Sequence, residues 1–139
     1  KLIWVVTKKN PLKEKPFLNI KKRVRLSKKL ISKEKKIFVL YLDSKLKSNS
    51  TFNLLKYIKS KNTGKKLYFL IGADNLVKFH KWNNWKKIPK LAKIVIFPRQ
   101  NFSKKLLYGK ALKKLDKKDW IYIKTKKINI SSSLIRKFW

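Results

Sequence analysis

The sequence contains no cysteine, which excludes disulfides and thiolate metal sites while leaving the cellular compartment open. It contains no methionine either, and its first residue, Lys1, stands inside an apolar stretch. A natural chain starts at Met, so a chain cut at its N-terminus is expected. No apolar run approaches the roughly 18 residues of a membrane span, and no charged region leads to a cleavage site. A soluble protein without a membrane partner follows, with the cytoplasm as the default location. Acidic residues are scarce, 6 Asp and Glu against 40 Lys and Arg, for a formal net charge of +34. Histidine occurs once, at His80, which leaves little room for a histidine-based metal site or catalytic pair within the chain.

Such a charge ordinarily points to nucleic acid or an anionic membrane. Here lysine is spread over every segment together with many Ile and Asn residues, as a proteome-wide compositional bias would spread it. A dedicated nucleic-acid surface more often concentrates Arg, Lys and aromatics in one stripe. A solvated lysine surface is therefore expected, with no specific nucleic-acid partner; a basic RNA- or DNA-binding protein is the alternative.

What is present is enough for a core. The 139 residues are 43% hydrophobic and 13% aromatic, the size and content of one domain, taken as residues 1–139. Leu2 to Val6 is a short apolar run ending before the turn signal Asn10-Pro11, as a buried parallel strand ends. Phe17 to Ile31 has apolar points at approximately helical spacing. Ile37 to Leu42 is a second strand, followed by a polar stretch from Asp43 to Ser50. A helix then carries Phe52, Leu55, Tyr57 and Ile58 and stops at Asn62-Thr63-Gly64, where glycine suits a left-handed residue.

Leu67 to Ile71 is a third strand running straight into Gly72-Ala73-Asp74-Asn75 and a short helical segment that reaches Phe79. Trp82 to Leu91, interrupted by Pro89, precedes a fourth strand at Ile94 to Phe97. Ser103 to Leu115 is helical in spacing, Trp120 to Ile123 is a fifth strand, and Ser131 to Ser133 cap a last helix expected to be truncated at Trp139, so that the fold is cut at both ends. This alternation, with strands apolar along their length, predicts an α/β fold built on a doubly wound parallel sheet. In such a sheet ligands bind beyond the carboxyl ends of the strands. That rule selects Thr7 to Lys13, Asp43 to Thr51, Gly72 to Asn75, Pro98 to Gln100 and the turn at Ile130 to Ser133.

Three motifs fall there. In Ile71 to Trp85 (IGADNLVKFHKWNNW), Gly72 lets the backbone approach a ligand and Asp74 can accept hydrogen bonds from ribose hydroxyls. The plainer reading is a strand-to-helix turn capped by Asp74. Trp82 and Trp85, three residues apart, suit either a stacked planar ring or a core anchor, more often the latter. In Ile128 to Arg136 (INISSSLIR), three serines at a helix start offer hydroxyls and free N–H groups to an anion, and Arg136 adds a guanidinium one turn on. In Thr7 to Lys13 (TKKNPLK), Asn10-Pro11 makes a turn after which Lys13 could face a phosphate. Each has an ordinary alternative, a helix cap or a polar loop.

Taken in order, NPLK, STFNLLKYI, FLIGADNLVKFHKWNNWKKI, IVIFPR and INISSSLIR resemble the succession of motifs in bacterial nicotinate-nucleotide adenylyltransferases over nearly the whole chain. The resemblance implies a Rossmann-like nucleotidylyltransferase fold and transfer of the adenylyl group of ATP to nicotinate mononucleotide, with Mg2+ accompanying ATP. It implies ATP contacts at Gly72, Asp74, Ser131, Ser132, Ser133 and Arg136, and acceptor contacts at Lys13, Thr51 and Trp82. Arg23, like Lys13, stands where the family carries a basic residue. The family's glycine-rich turn GGSFDPxHxGH, whose histidines stabilise the transferring phosphate, has no match here. Those catalytic histidines are expected upstream of Lys1, so the chain alone is expected to be inactive. The family's Tyr-Thr pair stands here as Ser50-Thr51, and its acidic residue after the strand at Ile37 corresponds loosely to Asp43. Another acceptor, nicotinamide mononucleotide or phosphopantetheine, is the nearer alternative.

Overall fold

The structure is a computed structural model that describes residues 1–9, 16–99 and 109–125. The chain divides into two compact units, Lys1–Ile58 and Lys59–Trp139, each built on parallel strands. In the first, β1 (Leu2–Val5) pairs in parallel with β2 (Ile37–Leu40), Leu2 opposite Ile37 and Val5 opposite Leu40. A parallel neighbour requires a crossover. α1 (Ile20–Leu30) lies in it.

α1 starts later than the spacing alone predicts, because Asn19 caps it. The Asn19 side chain accepts a 2.9 Å hydrogen bond from the Lys22 amide, satisfying one of the donors a helix start leaves open. β2 likewise stops at Leu40. The stretch read as merely polar holds a one-turn helix, α2 (Asp43–Leu46), closed by Lys47 in the left-handed region at φ 46°. Four residues carry too little periodicity to betray a helix. α3 (Thr51–Ser60) follows, with Leu55 as its buried residue. Past it, the Lys65 amide bonds back to the Asn62 carbonyl at 3.2 Å, and Gly64 takes φ +75°, as expected of the turn that stops this helix.

The second unit holds β3 (Tyr68–Gly72), β4 (Lys93–Phe97) and β5 (Trp120–Tyr122) in the order β3-β4-β5, all parallel. Between β3 and β4 run α4 (Ala73–Val77) and two 3₁₀ segments, Phe79–Lys81 and Trp85–Lys90. Pro89 falls inside the second, which therefore never becomes an α-helix. Phe79, Ile88, Ile94 and Ile96 are the largest side chains wholly removed from water, with Leu76 and Ile71 beside them in the buried set. Register puts Phe69, Ile71, Ile94 and Ile96 on one face of the ladder, the face that this core covers. On the other face Tyr68, Leu70, Phe97 and Ile121 stay exposed and Val95 alone is buried.

The parallel α/β architecture is thus as the alternation predicts. Among the described residues the strands form two ladders, where one continuous sheet was expected. Of the helix expected over Ser103–Leu115, residues 103–108 lie outside the described residues, and Leu112–Lys114 form a 3₁₀ turn. The last expected helix, at Ser131, also lies outside them. No described helix is long and apolar enough to cross a membrane.

Candidate functional site

β3 delivers Gly72 and Asp74 to its carboxyl end, and β4 delivers Arg99. Gly72 pairs with Phe97 across the ladder, so Asp74 and Arg99 each stand two residues beyond a matched pair and meet on the same edge. Arg99 Nε lies 3.6 Å from Asp74 Oδ1, with the arginine half-exposed and the aspartate largely covered. Asn75 Nδ2 donates to Asp74 Oδ2 at 3.3 Å. The carboxylate is folded back so closely over the end of β3 that a β-carbon on Gly72 would collide with Asp74 Oδ1. Glycine is favoured here by this close approach and not by its backbone, since a φ of −75° suits any residue.

Asp74 belongs to the first turn of α4, whose N-cap, Gly72, offers no side chain. An acidic group beside free helix N–H groups is favourable there. The same edge therefore holds a carboxylate able to accept hydroxyl protons and a guanidinium able to meet an anion, at the place where a parallel sheet takes its ligand.

Trp82 packs against Phe69 at 6.1 Å and Phe79 at 5.3 Å between ring centroids, and Trp85 meets Phe79 edge-on at 6.0 Å. Both tryptophans thus brace a fully buried phenylalanine, the plainer of the two readings of their spacing. Trp82 keeps part of its surface exposed, so the indole also has area left for a ligand. His80, in the 3₁₀ segment between them, has a buried Nδ1 with no hydrogen-bond partner.

In the first unit the carboxyl edge is built by a different set of bonds. Asp43, the first residue of α2, accepts the Lys8 amide on Oδ2 at 2.6 Å. Arg23, from α1, donates through one terminal nitrogen to the Thr7 carbonyl at 2.9 Å and the Lys8 carbonyl at 3.3 Å. Thr51 opens α3 and is partly buried. Just before it, Ser48 Oγ accepts the Ser50 amide at 3.1 Å and the Asn53 amide group at 3.0 Å, while Ser50 Oγ is buried without a hydrogen-bond partner.

Of the residues singled out in the sequence, the structure brings Gly72 and Asp74 together, gives Trp82 to the core of the same unit, and puts Thr51 in the other. Lys13, Ser131, Ser132, Ser133 and Arg136 lie outside the described residues. The tie of Arg99 to Asp74 and the bonds of Arg23 and Asp43 escaped the sequence reading. The available signal was the position of Arg99 and Asp43 just past a strand end, informative only once the neighbouring strands are known.

Comparison with known proteins identifies the family. The model of the cytidylyltransferase-like family matches residues 1–138. A probable nicotinate-nucleotide adenylyltransferase from Pelagibacter ubique is 39% identical over 136 residues, covering 98% of this chain and 75% of that protein. The protein of the same description from Aquifex aeolicus is 35% identical over 138 residues, 95% of this chain and 81% of its own length. Among solved structures, a Plasmodium falciparum nicotinic acid mononucleotide adenylyltransferase complexed with NaAD superposes with a TM-score of 0.69 at 23% identity, covering 98% of this chain and 67% of that one. At that identity the likeness establishes the fold, a Rossmann-like nucleotidyltransferase fold. With a family model spanning almost every residue and relatives above 30% identity over most of their length, the chain belongs to the cytidylyltransferase-like family, among its nicotinate-nucleotide adenylyltransferases.

Proposed function

We propose that this chain binds ATP and nicotinate mononucleotide as a single adenylyltransferase domain, residues 1–139, in the cytoplasmic synthesis of NAD. A phosphate oxygen of the mononucleotide attacks the α-phosphorus of ATP in line, the bond to the β-phosphate breaks, and pyrophosphate leaves with that bond's electron pair. The products are nicotinate adenine dinucleotide and pyrophosphate. No covalent protein intermediate is needed, so positioning and charge neutralisation carry the rate.

The observation that carries this reading is Gly72 with Asp74 at the end of β3, a carboxylate held over a parallel strand end by a residue without a β-carbon. In this reading Asp74 accepts the ribose hydroxyls of a nucleotide. The resemblance assigns Thr51, Trp82 and Lys13 to the acceptor, and the open surface of Trp82 suits a planar ring. By the resemblance, Ser131, Ser132 and Ser133 with Arg136 bind the phosphates of ATP, as hydroxyls and a guanidinium suit. Magnesium enters with the ATP phosphates; among the described residues no three His, Cys, Asp or Glu side chains gather to hold a metal ion of the protein's own.

The chain joined to a family-type N-terminal strand and GGSFDPxHxGH turn is expected to form nicotinate adenine dinucleotide, and the chain alone to form none. Failure of the joined protein to release pyrophosphate from ATP and nicotinate mononucleotide refutes the assignment. Competition with nicotinamide mononucleotide and phosphopantetheine in the same assay decides the acceptor.

A further inference from the structure

Arg23 is the basic residue of α1 whose place invites a direct role on substrate phosphate. One arm of its guanidinium is already committed. One terminal nitrogen reaches the Thr7 carbonyl at 2.9 Å and the Lys8 carbonyl at 3.3 Å. From the opposite side, Asp43 Oδ2 accepts the Lys8 amide at 2.6 Å, a length typical of a charge-assisted bond. Register makes the second bond possible. Val5 pairs with Leu40, so Lys8 and Asp43 each stand three residues past a matched pair on adjacent parallel strands. The peptide that joins Thr7 to Lys8 is therefore gripped at both ends, its N–H by an anion and its C=O by a cation. Asn19 adds to the arrangement by accepting the Lys22 amide on its side chain and the Arg23 amide on its carbonyl at 3.1 Å, which fixes the turn of α1 from which Arg23 projects.

We infer that Arg23 and Asp43 are positioning residues: together they fix the direction in which the chain leaves β1, at the edge where the acceptor mononucleotide binds, and Arg23 does not itself contact the acceptor's phosphate. The inference rests on the adenylyltransferase reading for the identity of that acceptor. A cation that served phosphate would leave its donors turned outward. Arg23 instead turns one terminal nitrogen onto two backbone carbonyls, the groups that a departing strand end leaves without ladder partners. Loss of either grip frees the Thr7–Lys8 peptide to rotate, and the end of β1 then samples orientations that do not meet the ligand.

The experiment measures binding to the full chain of nicotinate mononucleotide, of nicotinate riboside, which lacks the phosphate, and of ATP. The variants are Arg23→Met, Arg23→Lys and Asp43→Ala, with Arg25→Met as an exposed control that removes the same charge from the same helix. Arg23→Met and Asp43→Ala are expected to weaken the mononucleotide and the riboside by the same factor, about tenfold. Arg23→Lys should fall between wild type and Arg23→Met, Arg25→Met should match wild type, and ATP should be unaffected throughout. Hydrogen exchange at the Lys8 amide should accelerate in Asp43→Ala at an unchanged melting temperature. A loss confined to the mononucleotide makes Arg23 a phosphate ligand and overturns the proposal, as does binding indistinguishable from wild type in both variants. If the unaltered chain binds neither pyridine ligand, the adenylyltransferase reading itself fails, and the proposal with it.

Discussion

Gly72→Ala separates fold from function at the end of β3. The backbone there, φ −75° and ψ 148°, is open to alanine, so the substitution introduces no torsional strain. The added methyl collides with the Asp74 carboxylate and comes within 3.5 Å of Arg99 Nε. Asp74 is a short side chain and can rotate away, which removes its ion pair with a half-exposed arginine, an interaction worth at most about 1 kcal/mol. Against that, replacing glycine restricts the unfolded chain and returns about 0.4–1 kcal/mol. The two nearly cancel, and the melting temperature should hardly move. Nucleotide binding should not be spared. A carboxylate turned away from ribose hydroxyls forfeits about 1.5–3 kcal/mol, or roughly 10- to 150-fold in affinity. Calorimetric titration with nicotinate adenine dinucleotide, beside a melting curve, reads both quantities. Asp74→Ala should weaken binding equally, and the double variant should be no worse than either single one. Unchanged affinity in Gly72→Ala, or losses that simply add, would refute the reasoning.

Phe79 is fully buried and touches two tryptophans, so Phe79→Ala should destabilise the chain by about 3–5 kcal/mol; a denaturant midpoint and tryptophan emission measure it, and a loss under about 1 kcal/mol contradicts the packing. At Gly64, φ +75° makes Gly64→Ala cost about 1 kcal/mol and Gly64→Asn less, checked by thermal unfolding. In the chain joined to the histidine turn, Arg136→Ala should weaken ATP handling by about 1.5–3 kcal/mol. Lys113→Ala, at an exposed position, should do almost nothing, and equal effects would dissolve the phosphate site.

The strands were legible because each is a continuous apolar run, the pattern that parallel strands carry. Their ends were less so. Leu2 to Val6 and Ile37 to Leu42 both overshoot, since Val6, Tyr41 and Leu42 are as apolar as the ladder they leave. Gly72 and Asp74 were legible as a pair because the carboxyl-end rule needs only the strand. Their tie to Arg99 was not, because it depends on β4 being the parallel neighbour in that register. The same holds for Asp43 and Lys8, which lie 35 residues apart in sequence. The division of strands into two ladders was illegible for a related reason: periodicity identifies a strand and its faces but carries no information about which strand it joins.

The open face of β3, β4 and β5 has a consequence for how the molecule behaves in salt. Tyr68, Leu70, Phe97 and Ile121 present apolar surface to water on a chain whose net charge is +34. At low ionic strength, mutual repulsion reaches across tens of ångströms and keeps copies apart in spite of that surface. Near 1 M salt the repulsion decays within about 3 Å, shorter than the approach two sheets need to touch, and the sticky face is no longer defended. Colloidal behaviour is therefore expected to be inverted relative to proteins held together by opposite charges, dilute buffer dispersing this chain and concentrated salt gathering it, as light scattering against salt would read.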